Sequence, residues 1–144
     1  MMESITYMRE VNEAIQAGEQ SLRSLREARR ALDSAGNWGL LDILGGKNGG
    51  LISGLFKHSK MSDAQRNIEL AKRDLSRFQN ELRDVQDLNY LNVEIGGFLT
   101  FADFFFDGLL ADLFVQSKIS EAKRQVDEAI SRVQMIVNQL RMLR

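Results

Sequence analysis

The chain has 144 residues, with 19 Lys and Arg against 20 Asp and Glu, a net charge of −1 and a sequence pI near 5.9. That balance argues against a broad nucleic-acid footprint, which needs many uncompensated cations. The chain contains no cysteine and no proline, which removes disulfides, thiolate metal sites and cysteine nucleophiles and favours long uninterrupted helices over a loop-rich or β-rich fold.

The length suits a single domain over residues 1–144 with a core of its own. The N-terminal MMESITYMRE is polar and charged rather than basic-then-apolar. No signal peptide is therefore expected, and the placement expected for the chain is cytoplasmic.

The first element is predicted over about residues 4–33. Met8, Val11, Ile15, Gly18, Leu22, Leu25 and Leu32 recur at alternating spacings of three and four, the pattern of a coiled-coil seam. Arg29 breaks the series where a long stem can lie on the seam with its head in water. Gly18 either admits a neighbouring helix closely or weakens this one by about 1 kcal/mol relative to Ala. Arg23, Arg26, Arg29 and Arg30 are interleaved with Glu27 and Asp33, with Glu19 four residues before Arg23. They read as a solvated face laced with i,i+4 pairs. Asp33, Ser34 and Gly36 give a plausible stop.

A second long helix is predicted over about residues 62–87, with Met61, Ala64, Ile68, Ala71, Leu75, Phe78, Leu82 and Val85 on its seam. Ser62 and Gln65 have capping-box spacing. A third covers about residues 120–142, with Ile119, Ala122, Val126, Ala129, Val133, Ile136, Leu140 and Leu143 on its seam. Ile130 and Val137 widen that stripe, as expected of a central helix that touches more than one neighbour.

The chain also resembles itself. GLISGLFKHSKMSDAQR from Gly50 aligns without gaps on GLLADLFVQSKISEAKR from Gly108. Ser59 and Ser117, Lys60 and Lys118, Ser62 and Ser120, and Arg66 and Arg124 match off the seam, where packing alone would not enforce identity. The fold expected is all-α: an antiparallel bundle of three long heptad-patterned helices with two apolar helical connectors related by internal duplication. The first helix spans about 4–33, repeat unit 1 about 38–90 and repeat unit 2 about 97–144. Each short helix either runs straight into its long helix, since serine is tolerated inside helices, or bends at the Ser-Lys-x-Ser junction, which a Ser cap there favours.

Two connectors hold the candidate sites. The second, around IGGFLTFADFFFDG, carries Phe98, Phe101, Phe104, Phe105 and Phe106, followed by Phe114. These exceed what thin helices cover easily and mark a candidate interface. Asp103, Asp107 and Asp112 argue against a transmembrane span, and acids opposite the apolar face argue against insertion at a membrane surface. The first connector, GNWGLLDILGGKNGG, reads as turn-rich. Trp38, Asp42, Gly45, Gly46 and His58 are its candidate ligand-binding residues. Asp42 and His58, joined by Asp103 and Asp107, are a candidate divalent-metal set. The spacing is not that of a phosphate loop, and nothing supports a Ser-His-Asp triad.

The run Trp38 to Asp42, the glycine pairs, Lys57-His58-Ser59 and the helix opening Ser62-Asp63-Ala64 resemble a family of bacterial helical proteins of unknown activity. That family's pattern is W-G-x-W-D, then G-G-G, then K-H-S-x-x-D-x-A. The resemblance covers residues 37–65. Leu41 stands where the family has a second tryptophan, Lys47-Asn48 interrupts the glycine run, and Ser62 stands where an acid is usual. It implies a bacterial, helical protein and directs attention to Trp38, Asp42 and His58.

Three functions are consistent with these features. The first is a non-enzymatic helical interaction or scaffold protein without a cofactor, self-associating into a homo-oligomer. The second is a small-ligand or divalent-metal protein using the first connector. The third is a peripheral membrane protein resting on the phenylalanines.

Overall fold

The computed structural model describes the backbone of residues 2–44, 46–87, 95–108 and 119–143, and side chains within 5–35, 63–85, 95–103 and 119–143. The described residues form four α-helices and no strand: α1 (Met2–Leu44), α2 (Gly46–Asp87), α3 (Ile95–Gly108) and α4 (Ile119–Arg141). The chain is all-α.

Two helices are longer than the seams alone predict. α1 runs 43 residues, past the expected stop at Asp33, Ser34 and Gly36. α2 runs 42 residues from Gly46, through the glycine pair at Gly49-Gly50 and through Ser62. The connector expected to be turn-rich is therefore helical at 36–44 and 46–50, the short helix expected after it is part of the same α2, and the junction at Ser62 is helix interior rather than a capped bend. The physical reason is that glycine and serine only weaken a helix, by about 1 kcal/mol or less each. Proline, which would break it, is absent. At 1.5 Å per residue each of these helices spans about 65 Å.

The seam residues become the core. Val11, Ile15, Leu22, Leu25 and Leu32 of α1 are buried, whereas Met8 is exposed. Every predicted α2 seam residue from Ala64 to Val85 is buried, as are Ile119 to Leu140 of α4 with Val137. Met61 lies outside the described side chains. Ala14, Ala17, Ala28 and Ala35 add a second buried stripe to α1. That extra stripe follows from its position: α1 packs along both α2 and α4, while the backbones of α2 and α4 scarcely approach each other. The helix between two long neighbours is therefore α1. α4, whose wide stripe suggests a central place, contacts α1 and the shorter α3 instead, and its Val137 meets Gly18 of α1.

The order of contacts sets the direction. Gln20 of α1 reaches Asp74 of α2, while Glu10 and Glu13 lie at Glu81, so these helices run antiparallel. Arg29 and Asp33 of α1 meet Asp127 and Lys123 of α4, and Glu19 meets Arg141, so this pair is antiparallel too. Seven positions of α2, namely Ala64, Ile68, Ala71, Leu75, Phe78, Gln79 and Leu82, are buried. Their counterparts in α4 (Ala122, Val126, Ala129, Val133, Ile136, Val137 and Leu140), each offset by 122 − 64 = 58 residues, are buried as well.

Gly18 sits where the three helices converge. A Cβ added there would stand 2.5 Å from Val137 Cγ2 and 2.9 Å from Phe78 Cε1. The missing side chain is thus the space the two neighbours occupy. Phe78 continues into α3 through an edge-on contact with Phe98, ring centroids 5.4 Å apart. Phe98 meets Phe101 at 6.5 Å, and the Arg132 guanidinium of α4 lies 4.7 Å above the Phe101 ring. One aromatic chain capped by a cation therefore docks α3 on α2 and α4.

Candidate functional site

The chemically richest described region is the outer groove between α1 and α2. Asp74 is its fixed point. This buried carboxylate accepts hydrogen bonds from the Ser24 hydroxyl and, at 3.3 Å, from the Gln20 amide. A buried charge needs such partners, and here they lock the register of α1 against α2. Around it, Arg23 of α1 and Arg73 and Arg77 of α2 line a cleft with Gln16, Ala17 and Gln20. Arg23 donates to the Gln20 side-chain oxygen Oε1 at 2.7 Å, and Arg73 lies 3.6 Å from the Asp74 carboxylate. Arg23 was expected to pair with Glu19, but Glu19 is taken by Arg141 of α4 at 2.6 Å.

One helical turn further along the same groove, carboxylate oxygens of Glu10, Glu13 and Glu81 lie within 4.8 Å of one another. Burial, then the neighbouring Glu13, Asp84 and Glu10, push the Glu81 carboxyl above its ordinary value, with Arg77 opposing them. One Glu81 oxygen is buried with no hydrogen-bond partner among the described residues. Glu10 has Arg9 at 3.8 Å. Such a trio can accept a hard cation or a cationic side chain.

A second groove, between α1 and α4, is lined by Arg26, Ile130, Met135, Gln139 and Met142 among others. Its character is apolar, with Met142 and Met135 exposed.

The residues singled out from sequence fall differently. Trp38, Asp42, Gly46 and His58 belong to helical backbone, and their side chains, like Gly45 as a whole, lie outside the described residues. Asp103 is exposed and accepts a hydrogen bond from the buried Gln79 amide at 2.9 Å; it belongs to the docking of α3. The Asp107 side chain lies outside the described residues. Among the candidate interface residues, Phe98 is buried inside the chain and Phe101 is half-buried beneath Arg132. Phe104, Phe105, Phe106 and Phe114 lie outside the described side chains. The groove of arginines and acids carried no local motif, because its residues come from two helices joined only by an antiparallel register.

No protein-family model, curated protein or solved structure matches the chain. No helix among the described residues is long and apolar enough to cross a membrane.

Proposed function

We propose that the chain is a non-enzymatic helical interaction or scaffold protein: an antiparallel bundle of three long helices, built by internal duplication, that self-associates. The observation that carries this reading is how its polar and apolar groups are used. Several polar side chains between helices hold the helices together: Asp74 with Ser24 and Gln20, Gln79 with Asp103, Arg29 with Asp127, Lys123 with Asp33 and Arg141 with Glu19. What remains outward on the helices includes large apolar side chains, Ile5, Met8, Leu70, Met135 and Met142, and apolar surface of that kind is what partners cover. The coincidence of buried positions at a 58-residue offset supports the duplication. A first helix lying antiparallel to both related helices is the arrangement that a doubled unit around one central helix would take. Light scattering across concentration tests the reading. An oligomer is expected in the micromolar range, and a monomer at high micromolar concentration would refute self-association.

A further inference from the structure

The outer α1–α2 groove carries an ordered pattern of character. Glu10, Glu13 and Glu81 form an acidic stretch, and Arg23, Arg73 and Arg77 form a basic stretch beside it. Exposed apolar side chains flank both. Ile5, 64% exposed, stands eighteen residues before Arg23, five full turns, so the two share one face of α1. Leu70, 40% exposed, stands three and seven residues before Arg73 and Arg77 on α2. In order along the groove the pattern is apolar, acidic, basic, apolar. Turned end for end it becomes its own complement.

We propose that this groove binds a second copy of the chain across a two-fold axis, Arg23, Arg73 and Arg77 of each copy meeting Glu10, Glu13 and Glu81 of the other. The inference rests on the self-association proposed above and assigns it a face and a geometry.

Two observations favour a second copy over bare solvent. The α2 charges are absent from the matching helix: at the 58-residue offset, Arg73, Arg77 and Glu81 correspond to the uncharged Ser131, Met135 and Gln139. α4 nonetheless packs antiparallel on α1 without those charges. Among the described residues the acidic stretch is also incompletely paired, since Arg9 reaches Glu10 only at 3.8 Å and a buried Glu81 oxygen has no hydrogen-bond partner. A guanidinium from the other copy supplies both charge and donor.

The test is charge exchange. One variant carries Arg23→Glu, Arg73→Glu and Arg77→Glu; the other carries Glu13→Lys and Asp84→Lys. All five positions are exposed, and circular dichroism verifies that each variant folds. Ultracentrifugation is expected to find wild-type dimers, each variant alone monomeric, and an equimolar mixture dimeric. Raising salt to about 0.5 M, where screening shortens to a few ångström, weakens the wild-type dimer at least about tenfold. Variants that remain dimeric alone would overturn this face while leaving self-association standing. A monomeric wild type would overturn both. Should the triple variant unfold, Arg73→Gln with Arg77→Gln replaces it, and an unchanged dissociation constant again counts against the face. Stoichiometric Mn²⁺ binding by a monomeric wild type, lost in the Glu13→Lys, Asp84→Lys variant, would make the acidic stretch a cation site instead.

Discussion

Gly18 shows how one residue can be set by two neighbours at once. Helix propensity alone favours alanine there by about 1 kcal/mol. The added Cβ, however, would meet Val137 and Phe78, both fully buried and unable to retreat. Overpacking of this kind costs about 1–3 kcal/mol. Gly18→Ala is therefore expected to lower the stability measured by urea unfolding by about 1 kcal/mol net, although it strengthens the helix; a rise would contradict the close approach. Asp33 provides a pH test. Burial tends to raise its carboxyl, but hydrogen bonds from Lys123 and Arg29 outweigh that and hold it below the ordinary 3.8. A carboxyl lowered in the folded state stabilises the fold above its unfolded value and loses that contribution as pH falls through the folded one. Asp33→Asn should thus cost about 0.5–1 kcal/mol near neutrality, the scale of a half-exposed ion pair. The gap between variant and wild type should close as pH drops below about 4.

At the scale of elements, α3 and the glycine-rich stretch of α2 are the informative cases. α3 is attached by Phe98 between Phe78 and Phe101, with Arg132 over the last ring and Asp103 taking the Gln79 amide. Phe98→Ala removes the middle of that chain, a truncation that costs about 3–5 kcal/mol at a buried phenylalanine. Hydrogen exchange should then accelerate across residues 95–103 while the amides of Leu25, Leu32, Ile68 and Leu75 stay protected. Uniform acceleration would mean that α3 is integral to the core rather than docked on it. In α2, Gly49 lies within helix, so Gly49→Ala should raise stability by about 0.5–1 kcal/mol. A residue at a turn with positive φ would respond with a loss. Glycine pairs usually punctuate structure, but their penalty inside a helix is soft and does not stop α2 here.

For the whole molecule, the consequence of α1 lying between α2 and α4 is that each long helix leaves an outer groove beside α1, one charged and one apolar. Association through either links stability to concentration. A hundredfold rise in chain concentration is expected to raise the melting temperature by about 3–5 °C. An unchanged melting temperature would leave the fold as described and remove the self-association.

Heptad spacing by itself determined the helical class and nearly every core residue on α2 and α4, because burial in a helix follows a period that can be counted along the chain. It also marked Gly18 as anomalous and Arg29 as a residue whose head must leave the seam. It passed over Ala14, Ala17, Ala28 and Ala35, since alanine is equally at home on a surface helix. Its widest stripe pointed to the third long helix as the one lying between the others. Only the tertiary structure decided that α1 lies there, that Glu19 answers Arg141 rather than Arg23, and that Glu10 and Glu13 stand beside Glu81. Those facts depend on the direction and register of helices brought together from distant parts of the chain, and no local spacing encodes either.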